Sequence, residues 1–562
     1  MKLIFFLFIP FLFISTLVFG QANELKTLVD KLQGTFTKVE SATKTYEQEI
    51  KLLEHSTLTY SYNQTDQKGA KTAFSSDFNL ADIDPYAVRQ ETQKDIIFVV
   101  LAARNKQKLI KTVKDGKTQS YDDELRIHAK DGDHAKAILE IIKKCIPLGE
   151  KITSGKMKLV GYENMRQWLE GNVKNVNIGT KSINQTLKEQ SSPASFKLLQ
   201  VESDGKASHQ EEFTFNVADI NLNTLVFKIS GSTFALKFEM LEQLKSVSVL
   251  RDGAAKPFTN EVTIYTNGVD EARDMKTVLT MMSPLAQAKV KGDLPVFKNK
   301  SQSVETIVSL VKDLKVKDKV FTQSITPKCL TTFITTEQTT KATVKDTYEF
   351  NWMDVNPNAF KLQVSGEKMQ IELPMVDKKK LVNHYKDDKI VGYESEANIF
   401  VEDIEVGRRL RYSIDKAIEH CKSIYKDPFP ATTEGTVNWM KETVPEVTVE
   451  QTTRKQSFEL AEEGNGNKIK LTTVEIKAAS SVEEVFEFNL SDIDPRSIDF
   501  EAKGKWLTVK LETNFKNKII KAYKAGKIQP YVSSLEIAMK DVETARGMIA
   551  ALKKCSEALK GK

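Results

Sequence analysis

The familiar catalytic spacings are missing from this chain of 562 residues. It has no His-Glu-x-x-His pair, no Gly-x-Ser-x-Gly elbow, no Gly-x-x-x-x-Gly-Lys loop and no Cys-x-x-Cys. That removes the zincin, the nucleophile elbow, the phosphate loop and the paired-thiol site as readings. A triad gathered from distant residues leaves no such trace, so an enzyme is not ruled out on this ground. Cysteine is scarce, with four residues in the whole chain, too few for a disulfide scaffold. Charge of one sign is lacking as well. The net charge is +6, with Lys and Glu interleaved, so the electrostatic footprint of a nucleic-acid binder is absent. Beyond the first twenty residues no segment is apolar enough to span a bilayer.

One apolar run does occur, from Leu3 to Phe19 behind Lys2. A basic start, an apolar stretch and Gly20 at the polar boundary read as a secretory signal peptide, with cleavage expected before Gln21. An uncleaved anchor is the competing reading. No cysteine follows the run, which argues against a bacterial lipoprotein anchor. The expected location is periplasmic or secreted, without a transmembrane segment after cleavage.

What the chain has in abundance is repetition. Four motifs recur: Phe78-Asn79-Leu80-Ala81-Asp82-Ile83-Asp84-Pro85, Phe215-Asn216-Val217-Ala218-Asp219-Ile220-Asn221, Phe350-Asn351-Trp352-Met353-Asp354-Val355-Asn356-Pro357 and Phe488-Asn489-Leu490-Ser491-Asp492-Ile493-Asp494-Pro495. Their first aspartates are 137, 135 and 138 residues apart, a period of whole domains rather than of a solenoid. Twelve residues after that aspartate stand Lys94, Gly231, Gly366 and Gly504; thirty-four after it stand Gly116, Gly253, Asp388 and Gly526. Glycine and aspartate at such points predict tight hairpin turns. Sixty-three residues on come Cys145, Met282 and Cys555, whereas Cys421 falls at sixty-seven. The third copy is therefore expected to carry four extra residues before or within its last helix. The expected division is a signal peptide over 1–20 and repeat units over 21–150, 151–290, 291–425 and 426–562.

Inside a unit the hydrophobic period changes. Leu507, Val509 and Leu511 alternate, as do Phe234, Leu236, Phe238 and Met240, which predicts half-buried antiparallel strands. Ile138, Ile141, Ile142 and Cys145 then take helical spacing, as do Met548, Leu552 and Cys555. Lys143-Lys144 and Lys553-Lys554 suit the last turn of such a helix, and Pro147 and Pro284 are expected to end the first two. Opening helices are expected over Leu25 to Leu53, Met165 to Val173, Val304 to Leu314 and Val437 to Val444. The fold class is thus α+β, with four tandem units, each a bent antiparallel sheet of about six strands between an N-terminal helix and a C-terminal capping helix. This order resembles the pleckstrin-homology-like fold over roughly residues 57–148 and their counterparts. The whole is similar to repeat-bearing envelope proteins of Gram-negative bacteria.

Candidate chemistry is thin. The Asp82/Asp84, Asp219/Asn221, Asp354/Asn356 and Asp492/Asp494 pairs lack the glycine and glutamate of an EF-hand loop, so their side chains are expected to fix a turn. Cys145, Cys421 and Cys555 read as small buried hydrophobes, because Met282 holds the same place in the second copy; Cys329 lies outside the pattern, and a bridge between units stays open. Asp131-Gly132-Asp133-His134 reads as a helix cap. His55, His128, His134, His209, His384 and His420 occupy unrelated positions. Trp352 and Phe360 are bulkier than their counterparts and read either as core or as the wall of a cleft. No catalytic, cofactor-binding or metal residue is singled out, and no cofactor is expected. The function expected is that of an exported, non-catalytic binding or scaffolding module whose partner is an envelope protein, a glycan or a lipid, with no nucleic acid. The alternative is a hydrolase or an enzyme's accessory subunit with a site in one unit only.

Overall fold

The computed structural model describes residues 9–231, 233–461 and 467–560, with side chains from Gly20 onward. Of the expected leader, residues 1–8 lie outside the described residues, and residues 9–20 run as helix into the segment that follows. The chain divides into two compact units, Met1–Asp293 and Leu294–Lys562, and each holds two of the sequence copies.

In the first copy α1 (Ile9–Thr35) precedes nine strands: β1 (Val39–Glu40), β2 (Lys44–Glu54), β3 (Thr57–Asp66), β4 (Lys71–Asn79), β5 (Arg89–Gln93), β6 (Ile96–Ala102), β7 (Ile110–Lys114), β8 (Lys117–Asp122) and β9 (Glu124–Ala129). Helix α2 (Gly132–Lys156) closes it. Strands β1-β2-β3-β4-β7-β8 form a six-stranded antiparallel sheet and β5-β6-β9 a three-stranded one. The later copies repeat both sheets in the same order. Their opening and closing helices are α3 (Tyr162–Asn172), α4 (Val269–Gly292), α5 (Gln302–Leu310), α6 (Ile404–Ile424), α7 (Thr433–Thr443) and α8 (Val542–Leu559). The protein is therefore mixed α+β, built of repeated antiparallel units. The sequence led to one bent sheet of about six strands per unit; the structure has a six-stranded sheet and, beside it, a three-stranded one, to which the alternating Leu507–Leu511 and Phe234–Phe238 belong.

Burial explains the layering. In β6 five consecutive residues, Phe98 to Ala102, are buried. An unbroken buried run belongs to a strand covered on both faces, and β6 is the middle strand of the small sheet with α2 against it. In β3, by contrast, Leu58 and Tyr60 are buried in alternation, as a strand with one covered face requires. These residues share one core with Leu25, Leu32, Ile138 and Ile142 of the two helices.

The predicted turns are present. Asp115-Gly116, Asp252-Gly253, Asp387-Asp388 and Ala525-Gly526 all have positive φ at both positions, the backbone of a two-residue turn whose twist matches its strands. A Cβ at Gly116, Gly253 or Gly526 would meet nothing within 4 Å, so conformation, not space, selects glycine there.

Three expectations are corrected. The opening helix of the first copy ends at Thr35, and residues 44–54 form β2: Tyr46 and Ile50 are its buried residues, and even spacing serves a strand as well as a helix turn. Pro147 and Pro284 lie inside α2 and α4 instead of ending them. Beyond each proline the helix still buries apolar residues, Leu148 and Ile152 in one and Ala286 and Val290 in the other, and that packing outweighs the lost amide. The third copy has no four-residue insertion ahead of its helix. All four closing helices start fifty residues after the motif aspartate. Ala417 fills the sixty-third position, buried, and Cys421 lies one turn further along the same face. Among the described residues no helix is long and apolar enough to cross a membrane.

Candidate functional site

The recurring motif forms a 3-10 turn leaving the fourth strand, and its residues divide the work. The Asn79, Asn216 and Asn351 side chains accept from the backbone N–H of Ala81, Ala218 and Met353. In the fourth copy Asn467, just ahead of the neighbouring strand, supplies that acceptor to Ser491. The second carboxylate or amide closes an Asx turn: Asp84, Asn221, Asn356 and Asp494 accept from the amides of Tyr86, Asn223, Asn358 and Arg496. This is the turn-fixing role expected of the pair.

The first aspartate does something else. Asp82 is buried and takes a two-pronged ion pair from Arg273 of the next copy's closing helix, with Nε–Oδ1 at 3.2 Å and Nη2–Oδ2 at 2.5 Å. Asp354 takes the same pair from Arg546, at 2.7 and 2.5 Å. Each arginine is also held by an acid one turn earlier, Asp270 or Glu543. Burial works against the Arg273 charge, but the Asp82 and Asp270 carboxylates outweigh it and hold the guanidinium above its usual value. The fork geometry suits arginine. A buried pair is weak evidence for net stability and better evidence for a fixed docking geometry. Both arginines stand fifty-four residues after their own motif aspartate, as does Arg408, whereas the first copy has Lys136. That register was present in the sequence, but nothing local connects it with an aspartate 191 or 192 residues away.

A cavity of about 400 Å³ opens at the junction of the first two copies. Leu109, Phe227 and Met281 give it apolar walls, while Asp82, Arg104, Glu150, Arg273 and Lys276 bring charge. Arg104 is paired with Glu150 and Arg273 with Asp82. Among the described residues no carboxylate pairs with Lys276, whose ammonium lies 5.2 Å from the Phe227 ring centre. Burial pulls its pKa below the ordinary lysine value.

In every copy a glutamine braces the two sheets together: Gln185 and Gln323 are buried, Gln48 and Gln456 half-buried. The side-chain amides of Gln185, Gln323 and Gln456 donate to the carbonyls of Tyr265, Phe400 and Ala538 on the small sheet, and accept from the amides of the same three residues. In the first copy Gln48 donates to the His128 carbonyl, and the Tyr60 hydroxyl joins Gln48 to the His128 ring. Sequence reading missed these glutamines because loop lengths before the motif vary, which breaks their register.

The lining beside the brace differs from copy to copy. In the first copy Tyr46 stacks on His128 at 4.1 Å and Tyr62 on Phe74 at 4.9 Å; burial pulls His128 down to about 4. In the third, Phe321 and Phe400 pack together and His384 bonds Asp346 at 2.8 Å. The second and fourth copies leave polar cavities there of about 310 and 350 Å³. Gln200, Glu211 and Arg251 line one, and Arg454, Glu484 and Lys524 the other.

The remaining candidates are structural. Asp131 caps α2 through the His134 amide. Trp352 and Phe360 are buried in the third copy's core. Cys145 and Cys555 are free and buried, in keeping with a hydrophobic role. Cys421 departs from that reading: it is bonded to Cys329, with Cα atoms 5.5 Å apart. The bridge lies within the third copy, tying the approach to a sheet strand to α6, where the sequence had left only a link between units open. No protein-family model matches the chain, and no curated protein does.

Proposed function

We propose that this chain is an exported, non-catalytic binding protein of the cell envelope, and that the cavity between its first two copies takes an amphipathic anion: a carboxylate or phosphate ester with a short apolar tail. The observation that carries the reading is Lys276, a half-buried cation without a carboxylate partner in an otherwise neutralised, apolar-walled cavity. An unpaired charge in such a place is costly unless an anion completes it. The volume suits a small ligand, and apolar walls from Leu109, Phe227 and Met281 stand beside charged groups that would fix its orientation. Export is supported by the basic-apolar start of the sequence and by the Cys329–Cys421 bridge, since disulfides persist in oxidising compartments. A capping helix on antiparallel sheet supports the likeness to pleckstrin-homology-like domains, although the six-plus-three division of strands is this chain's own arrangement.

Calorimetric titration of the full chain with decanoate and with decyl phosphate tests the reading. Binding is expected, weakened at least about tenfold by Lys276→Met, which keeps the unbranched apolar stem while removing the ammonium and with it a cation–anion contact of about 1.4 kcal/mol or more. Binding that is absent, or indifferent to this substitution, contradicts it.

A further inference from the structure

At both described junctions the same parts meet. The earlier copy contributes its motif aspartate and the loop some twenty-two to twenty-seven residues later; the later copy contributes the cation of its closing helix and the first strand of its small sheet. In the first junction Gln107 accepts from the Phe227 amide. In the second, Lys379 pairs with Asp499 at 2.6 Å and lies over the Phe500 ring. Gln107 and Lys379 occupy one register position, and so do Phe227 and Phe500. The apolar residue two places on, Leu109 or Leu381, is buried to 5% and 1% exposure.

The fourth copy carries the acceptor half of this junction with nothing on it. Asp492 accepts from Asn489 at 3.0 Å and, among the described residues, from no cation. Ile519, the counterpart of Leu109 and Leu381, is 46% exposed. Phe515 is 95% exposed and has φ of 57°, a left-handed conformation that its counterparts Asn105, Glu242 and Asp377 share. Asparagine and aspartate tolerate that region, whereas a bulky aromatic there is an outlier. Such strain is a pointer to function when it sits at a contact surface.

The first copy carries the donor half. Lys136 occupies the position of Arg273 and Arg546, and it is held by Asp133 at 3.2 Å just as they are held by their own helix acids. Leu139 stands one turn on, at the place of Lys276 in the first junction. Gln90 occupies the place of Phe227, and both are the second residue of an edge strand paired in the same register, so its amide is available to Asn517 as that of Phe227 is to Gln107.

We infer that the fourth copy of one molecule docks on the first copy of another, continuing head to tail the junction used inside each unit. Asp492 meets Lys136, Asn517 meets the Gln90 amide, and Phe515 with Ile519 meets Leu139 and the stems of Lys143 and Lys144. A heterologous contact of this kind is not self-complementary, so each added molecule leaves a free end for the next until the assembly closes as a ring or runs on as an open chain. With lysine in place of arginine the ion pair is a point contact rather than a fork, so association is reversible and falls with salt.

Sedimentation velocity of the full chain over a concentration series is the test. Wild type is expected to shift from monomer towards dimer and longer species as concentration rises. Asp492→Lys alone and Lys136→Asp alone should each stay monomeric, and an equimolar mixture of the two should associate again, because each reversed end then finds its complement. Phe515→Asp should abolish association without changing the circular dichroism of the monomer. Lys136 and Phe515 are exposed and Asp492 is half-buried, and the circular dichroism of all three variants is read alongside to show that each keeps the fold. A wild type that is monomeric throughout overturns the inference. So does association that survives both reversals, or a dimer that responds to Phe515→Asp but not to Lys136→Asp, which would place two fourth copies face to face. None of these results bears on ligand binding at Lys276, which is read by a separate titration.

Discussion

His128 shows how one residue can carry a solution property of a whole domain. It is buried under Tyr46 with its pKa drawn down to about 4 by burial, against about 6.5 in an unfolded chain. Between those values the unfolded chain binds more protons than the folded one. Stability therefore falls as pH drops through that window, by up to about 3 kcal/mol at its lower end. His128→Phe, which installs the residue found at this point in the third copy, Phe400, is expected to remove that dependence. Melting temperatures of wild type and variant between about pH 4 and 7 check this, and equal slopes would contradict it. At this scale the sequence was informative where the cause was local. Gly116 and its counterparts announced their turns because backbone conformation is set by neighbours, and Asp131 announced its cap for the same reason. Lys276 and Gln48 gave no sign, since what makes them matter is burial between layers, and Cys421 misled because position on a helix face does not say which partner faces it.

Among the elements of the first copy, the closing helix and the 3-10 turn beneath it pack closely. A Cβ on Gly149 of α2 would come within 2.4 Å of the Leu80 Cβ, so the helix lies directly on the motif. The same position carries Ala286, Cys421 and Leu559 in the other copies. Gly149→Ala is expected to destabilise the first copy by about 1–3 kcal/mol, as overpacking in a filled core does. Its melting transition should move down while Gly34→Ala, where a Cβ meets nothing, leaves it in place. Strand and helix types were readable from period two and period 3.6, and element order with them. The split into two sheets was not, because β5 and β6 pair locally as any hairpin does and only β9, far along the chain, separates them from the larger sheet. The extra turns after Pro147 and Pro284 were hidden for a related reason: a proline's local cost is visible in sequence, while the tertiary packing that offsets it is not.

At the scale of the molecule, the chain repeats a junction as well as a fold. Asp82–Arg273 and Asp354–Arg546 join successive copies inside each compact unit, and the cavity at the first of them is where a ligand is proposed to sit. Repetition was the clearest message of the sequence; the junction was its least legible part, because the two halves of each contact are written in different copies. Removing one partner of a buried pair leaves the other uncompensated, so the damage should appear on both sides of the contact. Hydrogen exchange of Asp82→Asn, compared with wild type, tests this most directly. Faster exchange is expected together in the segment around Leu80 to Ile83 and in the first turns of α4, which begins at Val269. A change confined to the neighbourhood of residue 82, with α4 exchanging as in wild type, would contradict the account.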